Sequence, residues 1–261
     1  MAHIHPTSVI EEGAQIGQDC RIGPFCVVGA QVRLGDRVEL KPHVVVTGDT
    51  QIGEDTVVFS FAVIGEIPQD LKFDGEDSRL VIGARNRIRE HVTMNSGTKG
   101  GGGVTRVGDD GLFMAGCHIA HDAQVGDRVI VVNQTAIAGH VVLEDDVIVG
   151  GLSGVHQWVR VGRGAIIGGL TRVVKDVIPY GLVQPDEGKL EGLNLIGLKR
   201  RGVSRAEISE MRAAFRALAQ GDGTFLERTR QIEASAESDY VKEIVAFILG
   251  DSDRSFLTPE R

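Results

Sequence analysis

Aliphatic residues recur at every sixth position along most of the chain. Ile4, Ile10, Ile16, Ile22, Val28, Leu34, Leu40, Val46, Ile52, Val58 and Ile64 form one unbroken series, and Ile82, Ile88 and Met94 resume it in phase. A second series, offset by one residue, runs Val107, Phe113, Ile119, Val125, Val131, Ile137, Leu143, Val149, Val155, Val161, Ile167 and Val173. This period fits neither an amphipathic helix nor a half-buried strand. It fits an internal repeat, here a solenoid of short parallel strands, each turning a corner after one hexad. Three faces make one coil, so that each inward aliphatic stacks on the one three hexads earlier. Glycine often follows the aliphatic, as in Ile16-Gly17, Ile22-Gly23 and Val149-Gly150, where the backbone must turn sharply. About nine coils at ~4.8 Å predict a prism roughly 40 Å long.

The rhythm fails at 65–81 and at 95–106, the second containing Gly100, Gly101, Gly102 and Gly103. Both read as loops thrown out from corners of a rigid scaffold, where binding groups tend to sit. The glycine run lacks the Gly-Lys-Ser/Thr ending of a phosphate loop. After Val173 the repeat dissolves. Ser204 with Glu207, and Thr224 with Glu227, are capping boxes that predict helix starts. Ile208, Met211, Phe215 and Leu218 follow helical spacing, and Tyr240 to Leu249 suggest a last apolar helix. The expected organisation is mainly β: a parallel β-helix over 1–193 and a small helical domain over 194–261.

Composition narrows the function classes. A net charge of −8 argues against nonspecific nucleic-acid binding. No apolar run is long enough to span a membrane. The start shows no signal peptide, and Cys20, Cys26 and Cys117 have no metal-ligand spacing, so a reduced cytoplasmic location is expected. One segment opposes the overall charge: Lys199, Arg200, Arg201, Arg205, Arg212 and Arg216 against Glu207 and Glu210. Arg200 and Arg201 stand before the predicted helix, which suits phosphate contact, and the whole patch suits an acidic partner.

Coil arithmetic gathers the histidines. Counting one coil on from His121 gives Gly139, and a further coil gives Gln157. His118, Asp122, His140 and His156 flank this column. A neutral His121 could take a proton near pH 7, a carboxylate such as Asp122 could set its tautomer, and the Gly139 N–H could face a reacting carbonyl oxygen. No serine or cysteine pairs obviously with His121, so direct attack by a substrate hydroxyl is favoured over a covalent enzyme intermediate. A three-histidine zinc site, as in carbonic anhydrases of solenoid shape, is disfavoured because His118 and His121 are too close in sequence, and no metal is expected. His118, His140 and His156 also have plain readings as corner or packing residues.

His118-Ile-Ala-His121-Asp122, Ala138-Gly139-His140-Val141, Val155-His156-Gln157 and Gly197-Leu198-Lys199-Arg200-Arg201-Gly202, with Gln69-Asp70-Leu71-Lys72 in the first loop, resemble the signatures of the UDP-N-acetylglucosamine 3-O-acyltransferases. The resemblance covers essentially the whole chain. It implies a left-handed parallel β-helix and a homotrimer with sites between subunits. It implies transfer of an (R)-3-hydroxyacyl group from acyl carrier protein to the sugar 3-hydroxyl, the first step of lipid A synthesis. No separate cofactor is implied, because the acyl group travels on the carrier's phosphopantetheine. By resemblance His121 is the general base, Asp122 orients it and the Gly139 N–H holds the oxyanion. His140 contacts the pantetheine. Asp70, Lys72, His118 and Gln157 position the sugar, His156 joins the substrate contacts, and Asn194, Arg200 and Arg201 hold the nucleotide. Gly169, with Ile166 beside it, is expected to set acyl length, and its missing side chain suggests a longer chain.

Departures fall at Ile196, where a glutamate contact must be lost or replaced, at Met94-Asn95-Ser96-Gly97-Thr98, and at Pro185-Asp186-Glu187. Rival readings are N-acylation of a UDP-3-amino sugar and a non-catalytic binding module. The related N-acyltransferases carry an extra uridine-binding domain before the repeat, whereas here the repeat starts at Ile4. Val45, Ile130 and Val132, apolar but out of phase, are either interface or plain surface.

Overall fold

A computed structural model describes residues 1–185, 189–252 and 254–259. Asp186 and Glu187, part of the expected departure near the acyl end, lie outside the described residues.

The repeat folds into three parallel faces of eleven, nine and eight strands, the first including an antiparallel closing strand. Most strands are two residues long, one side chain outward and one inward, as in Val27–Val28 and Ile137 after Ala136. Neighbouring coils pair at a separation of one full repeat: Arg33 with Gln51, His118 with Ala136, Ile148 with Ile166. The inward residues form one continuous apolar column from Ile22 to Val173. Burying each such side chain contributes about 1.5–3 kcal/mol, so no coil is stable alone and each is stabilised by its neighbours. The three cysteines are free and buried, filling small inward slots, and the Cys20 thiol donates to the Gly35 carbonyl.

Both insertions are shorter than the pattern suggests. Arg79–Ile82 is already a strand, with Leu80 and Ile82 inward, pairing with Asp49–Ile52. Val104–Val107 likewise pairs with Arg79–Ile82. Leu80 and Thr105 are inward residues outside the sixfold phase, which hides these strands from the periodicity.

Most corners place a residue in the left-handed region, usually not glycine. That backbone costs side chains with a Cβ roughly 1–2 kcal/mol each, and the stacked corners offset it in three different ways. One edge carries Asp19, Arg37, Asp55, Arg85, Asp110, Arg128 and Asp146. Arg37 forks onto Asp55 at 2.7 Å through both nitrogens, Arg85 onto Asp110 at 2.7 and 2.8 Å, and Arg128 onto Asp146 at 2.9 and 3.3 Å. A second edge stacks Phe25, His43, Phe61 and His91 with ring centroids 5.0, 4.9 and 5.3 Å apart. The third holds Asp122, His140 and Trp158. These are called below the Arg–Asp edge, the aromatic edge and the His edge.

The solenoid closes with a hairpin, Gly181–Gln184 against Lys189–Leu193. Four helices follow: α1 Leu195–Arg200, α2 Arg205–Ala219, α3 Phe225–Glu233 and α4 Asp239–Leu249. The capping boxes at Ser204/Glu207 and Thr224/Glu227 are both formed. The short α1 is too brief to show a helical period in sequence; Arg200 ends it and Arg201 caps it, both still ahead of α2. Arg160 fastens α4 to the solenoid: it bonds Asp176 at 2.8 Å and lies 4.5 Å over the Phe247 ring. Among the described residues no helix is long and apolar enough to cross a membrane.

Candidate active site

His121 and Asp122 turn the corner after the strand His118–Ile119. Both side chains are buried, 6% and 0% exposed. His121 Nδ1 lies 2.8 Å from Asp122 Oδ2. Asp122 also accepts from the Thr98 N–H at 2.8 Å and the Thr98 hydroxyl at 2.6 Å. A carboxylate so surrounded by donors remains an acceptor, so Nδ1 carries the proton and Nε2 is left as the free lone pair. Thr98 is delivered by the second loop, whose tight turn Lys99–Gly101 folds back over the corner. Gly101 is required there: a Cβ on it would fall 2.0 Å from the Asp122 carboxyl carbon.

One coil on, Gly139 lies beneath the imidazole. A Cβ there would meet His121 Cε1 at 2.5 Å and Nε2 at 2.6 Å. The Gly139 carbonyl accepts from the Trp158 N–H, while its own N–H has no partner among the described residues. The free base and a free amide donor are therefore neighbours on adjacent coils. His140 meets the His121 ring edge-on, centroids 5.0 Å apart, and lies flat on Trp158 at 3.8 Å. Burial, with the neighbouring His121, holds His140 below the ordinary histidine value although Asp122 opposes it. His118 is lowered too, first by burial, and bonds the Thr93 hydroxyl at 2.7 Å.

A cavity of about 580 Å³ opens beside this column, lined by Asp70, Lys72, Thr98, His140 and Trp158. Another of about 640 Å³ lies across the glycine loop, lined by Asp122, Gln124, His140 and Trp158. Asp70 caps its own loop through the Lys72 N–H at 3.0 Å. The departures from the family pattern join the two loops: Asn95 Nδ2 donates to the Glu66 and Ile67 carbonyls, and Ser78 donates to Ser96 at 2.8 Å.

The fold thus gathers His118, His121, Asp122, Gly139, His140, His156, Gln157, Asp70 and Lys72 along one edge. It does not bring the remaining expected residues there. Asn194 is a buried cap of α1, accepting from the Gly197 N–H and donating to the Gly164 carbonyl at the Arg–Asp edge. Arg201 reaches the Asp146 carbonyl at 3.3 Å on that same edge. Arg200 is exposed nearby. Ile166 faces outward on the first face, and Gly169 turns the corner of the aromatic edge. Sequence reasoning misses Thr98 and Trp158. Trp158 is accessible to it, one coil on from His140; Thr98 lies in an insertion without phase.

His121, Asp122 and His140 bring ligand atoms within 4.8 Å of one another. Three donors, from Thr98 and His121, already take most of the acceptor capacity of Asp122, so the donor set fits a proton relay better than a metal.

The family model described as Udp N-acetylglucosamine O-acyltransferase, Domain 2, matches residues 176–257, and the bacterial transferase hexapeptide model matches 1–30 and 13–48. The acyl-[acyl-carrier-protein]--UDP-N-acetylglucosamine O-acyltransferase of Paracoccus denitrificans is 64% identical over 78% of this chain and 77% of its own length. That of Rhizobium johnstonii is 49% identical over 100% of this chain and 96% of its own. The solved UDP-N-acetylglucosamine acyltransferase of Campylobacter jejuni is 40% identical with a TM-score of 0.92, covering 98% of this chain and 99% of that one. The Arabidopsis enzyme superposes with a TM-score of 0.86 at 34% identity, over 98% and 100%. The left-handed parallel β-helix with a small helical end is the fold they share.

Proposed function

The chain belongs to the UDP-N-acetylglucosamine acyltransferase family, and from that premise we propose that its His edge transfers an (R)-3-hydroxyacyl group from acyl carrier protein to the 3-hydroxyl of UDP-N-acetylglucosamine. The observation that carries the reading is His121 Nε2 beside the Gly139 N–H, neither of which has a hydrogen-bond partner among the described residues. The sugar hydroxyl gives its proton to Nε2 as its oxygen attacks the thioester carbon. Asp122 stabilises the imidazolium, and the Gly139 N–H stabilises the oxyanion. The intermediate collapses, the carbon–sulfur bond breaks, and His121 returns the proton to the leaving thiolate. General-base help is worth about 10²–10⁴ in rate, and one oxyanion donor about 10²–10³.

The sugar is positioned by Asp70, Lys72, His118 and Gln157, and the pantetheine by His140. Arg200, Arg201 and Asn194 serve the nucleotide and Gly169 with Ile166 the acyl end, but from other edges of the prism. This separation supports a homotrimer in which one subunit's His edge meets a neighbour's helical tail and outer face. Leu71, fully exposed at the tip of the first loop, and the outward Leu112, Ile130, Ile148 and Ile166 supply apolar surface for it. Lys199, Arg200, Arg205, Arg212 and Arg216 are exposed and make no ion pair among the described residues, which suits an acidic carrier protein. A break between solenoid and helical domain near residue 194, and a cytoplasmic setting, complete the reading. The test is transfer from carrier-bound 3-hydroxyacyl groups of graded length, with product mass read directly. A 3-O-acylated sugar is expected, and no product at any length overturns the assignment.

A further inference from the structure

Corner carbonyls on the His edge are satisfied in series by the next coil. The His140 N–H donates to the His121 carbonyl at 3.1 Å, and the Trp158 N–H to the Gly139 carbonyl at 3.3 Å. The third member breaks the series. The next coil is cut short, since Val161 bridges to Val177 rather than to a residue a full repeat away. The Asp176 N–H, which would have continued the series, turns instead to the Ser255 carbonyl at 2.9 Å. The Gln157 carbonyl is taken by the guanidinium of Arg254, at 2.9 Å.

The same Arg254 nitrogen lies 3.1 Å from His156 Nδ1. A guanidinium has donors and no acceptor. The contact is a hydrogen bond only when Nδ1 is unprotonated. A protonated Nδ1 would donate instead to the Gln157 carbonyl, 3.2 Å away and already taken by Arg254, and would meet the guanidinium donor to donor, so Arg254 favours the proton on Nε2. Arg254 is itself held: Ser252 donates to the buried Asp176 at 2.6 Å, and the Leu257 N–H donates to the Asp176 carbonyl at 2.8 Å. A strap made of Ser252 and residues 254–257 therefore crosses the end of the solenoid and delivers one cation to the foot of the His edge.

We propose that Arg254 is a positioning residue: it completes the corner at Gln157 and locks His156 as the neutral Nε2–H tautomer, so that His156 donates a hydrogen bond to an oxygen of the acyl-donor arm. The donor is the partner because the helical tail packs at this end of the column, and an arm arriving from the tail passes His156 before Gly139. This rests on the His edge being the transfer site.

The test uses Arg254→Ala and Arg254→Lys in the full-length chain, with thermal unfolding confirming that each folds. Long-range ¹⁵N–¹H spectra of histidine-labelled protein, with His156 assigned by His156→Gln, read the tautomer without turnover. Wild type should show the Nε2–H pattern, and Arg254→Ala should mix the two tautomers. In kinetics Arg254→Ala should raise KM for the acyl carrier substrate about tenfold, one lost hydrogen bond's worth, with kcat and the KM for the nucleotide sugar nearly unchanged. Arg254→Lys, with one point donor in place of a fork, should fall between. An Nδ1–H His156 in wild type, or an unchanged tautomer in Arg254→Ala, overturns the lock whether or not the assigned reaction is observed. A mixed tautomer with an unchanged donor KM overturns the substrate contact.

Discussion

The Arg–Asp edge and the His edge are built on the same corner, repeated at the same spacing, with a non-glycine residue in the same left-handed conformation. They differ in what is left over. On the Arg–Asp edge each fork satisfies its neighbour, and Arg37 and Arg85 hold the carboxyls of Asp55 and Asp110 below the usual range. The side chains of this ladder are spent on one another. On the His edge a glycine replaces one side chain, an insertion supplies Thr98, and what remains unspent is one imidazole lone pair and one amide proton. On the proposed reading, catalytic capacity comes from leaving a repetitive structure incomplete at one point.

Removing the unspent groups should have the largest effect. His121→Ala should lower kcat at least about 10³-fold in steady-state transfer assays, with the melting temperature nearly unchanged; wild-type turnover in a folded variant ends the assignment. Gly139→Ala should cost about 10²–10³, because the new methyl displaces the imidazole from above the amide. Gly139 has an ordinary φ, so its circular dichroism spectrum should remain that of wild type.

Acid should separate the two edges more gently. Burial lowers His118 and His140, so below the ordinary histidine value of about 6.5 the unfolded chain binds more protons than the folded one. Their contribution to stability is complete above that value and declines as pH falls through it toward the lowered folded values. Asp55 and Asp110 contribute above the ordinary carboxylate value of about 3.9 and lose that contribution only as pH falls through their depressed folded values. Melting temperatures taken between pH 7.5 and 5.5 should fall less in His140→Asn than in wild type. The smallest effect belongs to Arg128→Ala, an exposed fork: about a degree or two in melting temperature, and no change in kcat. A large loss of activity there would mean that the edges are not separable.

Much of the fold and of the site is legible in the amino-acid pattern. Because every inward slot is the same environment, the sixfold beat specifies coils, and coil counting places His121, Gly139 and Gln157 in one column. The same counting reaches Trp158 from His140. It fails where geometry is not periodic. Leu80 and Thr105 are inward but off the beat, so the strands that carry them read as loop. Thr98 and Arg254 reach the His edge from an insertion and from the tail, brought there by packing that no local spacing encodes. Asn194 and Arg201, expected at the nucleotide end of a site between subunits, lie on another edge of the prism from the base, a separation that coil counting does not reveal.

The strap that carries Arg254 has a consequence during synthesis. A parallel solenoid can add coils as the chain leaves the ribosome, each resting on the one before, so His121, Asp122 and Gly139 can take their places early. The strap emerges well after them, and Asp176 and Gln157 wait for it. A nascent or truncated chain would therefore present a formed base over an unfinished floor. The strap then acts as a late fastener that tightens the grip on the donor around a base already in place.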